Sequence, residues 1–361
     1  MTLPRYLLLT LITAAVGFAL VWAWVLATPM AFMEPEYAAW RAKKIMLRRC
    51  DLGDTLILGD SRAAADIMPR RLSEPTTNLA LGGGEVIEAL ALLKRALACP
   101  HPPKRVILSF DAGHFSRADL FWERSVRFDL LSAEDIADLR RMSREVGDPT
   151  VYEERHTDII PSRMRDWLRL AHFPTYEFGS LLQGGVFLRA SHNRWMLQTT
   201  LSRRGQYSFG TAAVSHDVAV EGHLASFKPL PVLDAYFNEI LARLDRSRIE
   251  AIFLPMPVNE TTYRQVAPAL REGFAAYLHR YAARYKRFHV VKEIIPHRPD
   301  TDFGDEFCHM NPPAAERFSD ELAQRLQAAP PSTRKEVQNE WLNDTDPTAS
   351  ASTLPGSKRG S

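Results

Sequence analysis

Residues 6–26 (YLLLTLITAAVGFALVWAWVL) form an apolar run without a single charged side chain. About 20 such residues, at about 1.5 Å of helical rise each, match the hydrocarbon thickness of a bilayer. The rest of the chain is therefore expected to fold as a domain tethered to a membrane or exported across one. A cleaved signal peptide is the competing reading, but its apolar region is shorter and ends in small residues. Here the run is long and carries Trp22 and Trp24 near its end, which suit a membrane interface, so a retained anchor over residues 1–30 is favoured.

Residues 31–50 then read as an amphipathic basic linker helix containing Arg41, Lys43, Lys44, Arg48 and Arg49. Such a helix lies on anionic lipid or presents a solvated face between anchor and domain. Counted simply, those charges would hold the domain in the cytoplasm. They begin some 15 residues beyond the span, however, at the edge of the range over which that rule operates.

The 361 residues are 46% hydrophobic and 24% charged, enough for one substantial core. A net charge of +2, with no basic run interleaved with aromatics, argues against a nucleic-acid groove. Short apolar runs (TLILGD, TTNLAL, RVILSF, AIFLPM and the weaker FHVVKE) alternate with segments of helical periodicity such as VIEALALLKRALA and VLDAYFNEILARLDR. That alternation predicts an α/β fold, a central parallel sheet covered by helices on both faces. Residues 116–231 break the alternation and read as a largely helical insertion, either shaping access at the sheet's carboxyl edge or packing as a plain helical layer. Pro, Ser, Thr, Asp and Asn dominate residues 329–361 without periodicity, which reads as a disordered tail. Cys50 and Cys99 each precede a predicted strand; a bridge between them is possible in an oxidising compartment, but two unpaired buried thiols are the favoured reading. No repeat and no metal-ligand spacing is evident, so neither metal nor cofactor is expected.

Three blocks can carry chemistry. Ser61, in GDSRAAADI, follows the first strand and opens a helix whose amino-terminal N–H groups would stabilise an oxyanion; its plain alternative is a helix N-cap. In NLALGGGE, three glycines allow close backbone approach, and the Gly83 N–H is a candidate oxyanion donor; a simple turn is the alternative. In FGDEFCHMNPP, an acid placed three or four residues before His309 can fix its tautomer and leave Nε2 free to take a serine proton. Asn311 follows at the start of the closing helix.

Together, GDS after the first strand, the N-x-x-x-x-Gly block and the late acid–His block resemble the SGNH/GDSL hydrolase superfamily, over roughly residues 52–115 and 233–326. The resemblance implies Ser61 as nucleophile, His309 as general base, Gly83 as oxyanion donor and Glu306, three residues before the histidine, as the acid, with Asp305 beside it as the second candidate. The family's G-x-N-D block reads SFDAGHF here, so Asp111 stands where an amide donor is expected and His114 is the candidate substitute. An anchored member of this kind is similar to proteins of bacterial exopolysaccharide systems that acylate alginate or cellulose. That likeness implies a single-pass inner-membrane protein with a periplasmic domain, acting on a glycan or acyl ester beside a membrane-bound acyltransferase or polysaccharide synthase. A non-catalytic glycan-binding or acyltransferase-binding scaffold, and a lipid esterase at the bilayer surface, are the alternatives.

Overall fold

Residues that are apolar at successive rather than alternate positions make strands that can be buried on both faces. The computed structural model describes residues 2–118, 121–151, 162–184 and 187–327, and the expectation of a disordered 329–361 tail lies outside them. Three helices come first: α1 (Leu3–Ala27), α2 (Pro29–Phe32) and α3 (Pro35–Arg49). Then follow β1 (Thr55–Gly59), α4 (Ser61–Asp66), β2 (Thr76–Asn78), α5 (Val86–Leu97) and β3 (Arg105–Ser109). The expected insertion supplies a π-helical turn at Phe121–Val126, α6 (Ala133–Glu145), α7 (Ser162–Leu170), α8 (Pro174–Gly184), α9 (Ala190–Ser202) and the short α10 (Val220–His223). The chain continues through α11 (Pro231–Arg246), β4 (Glu250–Phe253), β5 (Val258–Asn259), α12 (Glu260–Tyr263), α13 (Pro268–Arg284), β6 (Phe288–Val290), β7 (His297–Arg298) and α14 (Pro312–Gln327).

Five strands form one sheet in the order β2-β1-β3-β4-β6, parallel throughout, with Thr55 to Gly59 of β1 in register with Arg105 to Ser109 of β3. β5 and β7 make a separate two-stranded pairing. The order reverses between β1 and β3, so their carboxyl ends flank the crevice where doubly wound sheets place ligands. Right-handed crossovers put α5, α11 and α13 on one face and α4 with α14 on the other. On the first face Phe237 meets the rings of Tyr277 and Tyr281, and Phe115 packs against Phe237, Phe253 and Phe274.

α1 is long and apolar enough to cross a membrane, with a mean hydropathy of 2.2 over its best window, and most of its side chains are exposed. Two expectations are corrected beside it. α3 is packed into the domain rather than standing free as a linker: Tyr37, Trp40, Lys43 and Met46 are buried, while Arg48 and Arg49 are exposed. Cys50 and Cys99 are not free thiols but a disulfide, with a Cα–Cα distance of 5.5 Å. The reason is local: Cys50 caps α3 in the left-handed region (φ 53°), and Cys99 follows α5, just before the strand that pairs with β1. Both cysteines therefore meet at the amino edge of neighbouring strands. Cys308 is free and buried.

Candidate active site

β1 delivers the chain to Asp60 and Ser61 at the carboxyl edge, and the local chemistry there differs from a simple N-cap serine. Asp60 is the cap: its Oδ1 accepts from the N–H of Arg62 (3.0 Å) and of Ala63 (3.3 Å). Ser61 is the first residue of α4, partly exposed, with its hydroxyl not engaged in capping. Gly59 beneath it has no room for a Cβ, which would lie 2.1 Å from the Ser109 carbonyl oxygen. Strands β1 and β3 can thus close up directly below the serine.

The loop before α14 is fastened to α4 at two points. Arg62 Nε donates to the Phe307 carbonyl (3.0 Å), and Asp66 accepts from the Met310 N–H (3.1 Å). His309, between those contacts, is held by Asp305: Nδ1 lies 2.6 Å from Oδ2, while Oδ1 accepts from the N–H groups of Phe307 and His309. Burial opposes ionisation of Asp305, but the hydrogen bond and charge of His309 outweigh it and hold the carboxyl below its ordinary value. The preference for Glu306 is therefore corrected: its side chain is exposed, and Asp305 alone of the pair touches the imidazole. A short Asp side chain can bond its own backbone two residues on, and Cys308 turns the loop at φ 59°, so the acid sits four residues before the histidine rather than three.

His309 Nε2 is buried and has no hydrogen-bond partner among the described residues. Phe209 covers the ring, stacked at 4.5 Å between centroids and 19° between planes. Phe209 arrives on a segment that bonds α4 through Tyr207 N–H to Ala64 O (3.1 Å) and Gln206 Nε2 to Ala65 O (2.7 Å). Gly210 meets Gly304 so closely that a Cβ on either would clash with the other's backbone. From the insertion, Phe209 stacks on His309 and Glu221 pairs with Arg62, while α6 packs on α11 and α9 packs on α3.

The glycine block reaches the same edge. Leu81 N–H donates to Gly59 O (2.9 Å), and Gly83 adopts φ 64°, partly exposed between buried Gly82 and Gly84. Asn78 braces α4 from behind, donating to the carbonyls of Ala63 and Ile67. From α3, Glu36 pairs with Arg124 at 2.7 Å, and Arg124 donates to Gly82 O at 2.9 Å. Burial raises the Glu36 pKa, with Arg124 working against the rise. Lys43 donates to Ala80 O, and burial lowers its pKa to about 7. α3 thereby clamps the backbone leading to Gly83.

Asp111 and His114 form an ion pair at 2.8 Å, both close to Asp60: the Asp111 N–H donates to Asp60 Oδ2 (2.9 Å), and His114 Nδ1 is 3.6 Å from it. Burial favours the neutral acid, but His114 and Arg62 prevail and lower the Asp111 pKa; the same pairing, against desolvation, raises that of His114. Asp60, Asp111 and His114 could meet around an ion. Both Asp60 oxygens are engaged by amides, however, and the Arg62 guanidinium lies 3.8 Å from Asp111, so protein cations already balance this cluster. Arg62 also grips Glu221 of α10 in a bidentate pair of 2.5 and 2.8 Å. Asn311 serves structure: Nδ2 donates to Thr301 O, and Oδ1 accepts from Ala314 N–H at the start of α14.

Sequence reasoning missed Phe209, Arg62, Glu221, Glu36 and Arg124. Arg62 stood beside the motif serine, but nothing local announces that a residue 159 positions on would pair with it. No family model, curated protein or solved structure matches this chain.

Proposed function

We propose that the chain is a membrane-anchored serine enzyme that forms an acyl-enzyme at Ser61 and transfers or hydrolyses an acyl ester of an extracytoplasmic glycan. The observation that carries the reading is the Asp305–His309 pair, on a loop fastened to α4, the helix that Ser61 opens, with a buried Nε2 that has no hydrogen-bond partner among the described residues. A buried ring nitrogen without a partner is costly, and a substrate-bound serine hydroxyl would satisfy it. In the reaction, His309 takes the Ser61 proton as Oγ attacks the acyl carbon, and Asp305 stabilises the imidazolium. Because Asp60 occupies the next two amides of α4, the oxyanion falls to the N–H groups of Ser61 and Gly83. His309 then protonates the departing oxygen. Water or a sugar hydroxyl, deprotonated by the same imidazole, releases the acyl group.

The disulfide supports an oxidising location for the domain. Two of the basic residues after α1 are tied into the fold rather than free juxtamembrane charges, Lys43 buried against Ala80 and Lys44 bonded to the Asp129 carbonyl, while Arg48 and Arg49 remain exposed. Glu36 touches the glycine block only ten residues beyond the apolar run, which supports an acyl donor or partner presented at the membrane surface.

Purified full-length protein should turn over a chromogenic acetyl ester faster than a long-chain one, and Ser61→Ala should abolish this. Supplying a sugar oligomer with the donor should yield acetylated oligomers if transfer dominates. A scaffold reading rests on Asp111, an acceptor where a donor is expected; a protein inert toward every ester yet retained on polysaccharide would favour it.

A further inference from the structure

α7 and α8 are inverted relative to helices on a water-exposed surface. On α7, Asp166 faces inward to pair with Arg140, while Met164 (52%) and Trp167 (57%), three residues apart, are exposed. On α8, Glu177 and Ser180 are buried around Arg127, while Phe178 (60%) and Leu182 (68%), four residues apart, point outward. In water the polar face of such a helix belongs outside. Leu188, between α8 and α9, is more exposed still, at 77%.

The position of this face along α1 bears on which solvent it meets. The corner between α7 and α8 grips the anchor: Trp22 Nε1 donates to Ala171 O (2.7 Å), and Phe173 packs on Trp22 and on Phe18, each at 5.3 Å. Phe18 lies eight residues before the end of the apolar run, about 12 Å down the helix. Trp167 also meets Trp22, and Phe187 meets Trp24. If α1 crosses a bilayer, the corner sits below the level at which the span emerges.

We propose that the outward face of α7 and α8, with Phe187 and Leu188, is seated in the interfacial layer of the bilayer. The inference rests on the reading of α1 as a span. Interfacial helices bury their apolar face about 5–10 Å into the headgroup and acyl boundary, which agrees with the level of the Trp22 contact, four residues or about 6 Å inside the apolar run, the Phe18 contact lying somewhat deeper. The anchor and this face together would give the domain two attachments, fixing its tilt and holding the carboxyl edge of the sheet at a set height over the lipid.

The test uses single-cysteine probes on the full-length chain in lipid vesicles carrying nitroxide on their acyl chains. Leu11→Cys, Leu182→Cys and Lys286→Cys are labelled with a polarity-sensitive fluorophore; the native thiols are bridged or buried. Lys286 is exposed at the opposite, amino edge of the sheet. Probes at 11 and 182 should be blue-shifted and lose roughly half their emission or more, while the probe at 286 stays bright. Quenching at 11 with none at 182 would overturn the proposal and leave this face to a protein partner. Absence of quenching at 11 would remove the span and the proposal with it.

Discussion

Replacing both Cys50 and Cys99 by alanine tests the corrected cysteine assignment and the compartment it implies. The bridge closes a loop with a sequence separation of 49. Loop-closure entropy for that length corresponds to about 4 kcal/mol at room temperature. With an unfolding slope of about 3 kcal/mol/M in urea, the midpoint should fall by roughly 1.3 M. Alanine is chosen because Cys99 is buried and serine would add an unpaired hydroxyl there. The assay is urea unfolding of the full-length chain in detergent, followed by tryptophan fluorescence, with and without reductant. Reductant should move the wild type toward the double variant and leave the variant unchanged. Alkylation of unreduced, denatured wild type should modify Cys308 alone. Equal midpoints, or alkylation at positions 50 and 99, would refute the bridge and withdraw the argument for an oxidising environment.

The acid assignment predicts that Asp305→Asn lowers ester turnover by about 10³- to 10⁴-fold, while Glu306→Gln stays within roughly twofold of wild type; equal losses would contradict the geometry. Arg62→Met leaves Glu221 buried without its partner and should destabilise the chain by about 3–5 kcal/mol in urea unfolding. His172 bonds Asp129 and Glu177, near Arg127, and against desolvation those acids raise its pKa from the ordinary 6.5 to about 9. A raised histidine contributes stability fully below its unfolded value and loses it as pH climbs through the folded one. Amide exchange around residues 170–180 should therefore accelerate between pH 7 and 10, after correction for intrinsic rates, by more in wild type than in His172→Gln, with an opening free energy changed by on the order of 2 kcal/mol.

The sheet was legible because buried strands announce themselves: TLILG and RVILS became neighbours in register, and even the weak FHVVKE run supplied β6. The positions of Ser61 at the start of α4 and of His309 before α14 were legible from their blocks, because strand-to-helix and loop-to-helix junctions show in local sequence. The acid was misread because spacing fixes a partner only when the intervening backbone is regular, and here Cys308 takes a left-handed turn. α3 was misread because its basic residues suggested solvent, whereas Lys43 is buried and bonds a carbonyl. Phe209, Glu221 and Arg124 reach the site across long stretches of chain, and such pairings leave no periodic trace in one sequence. The apolar outer face of α7 and α8 was hidden among arginines that drew attention as a polar insertion.

The central claim concerns one hydroxyl. Full-length protein treated with a fluorophosphonate, digested and sequenced by mass spectrometry should carry the adduct on Ser61, with labelling absent in Ser61→Ala and strongly slowed in His309→Asn. Undiminished labelling of the Ser61→Ala protein would contradict it.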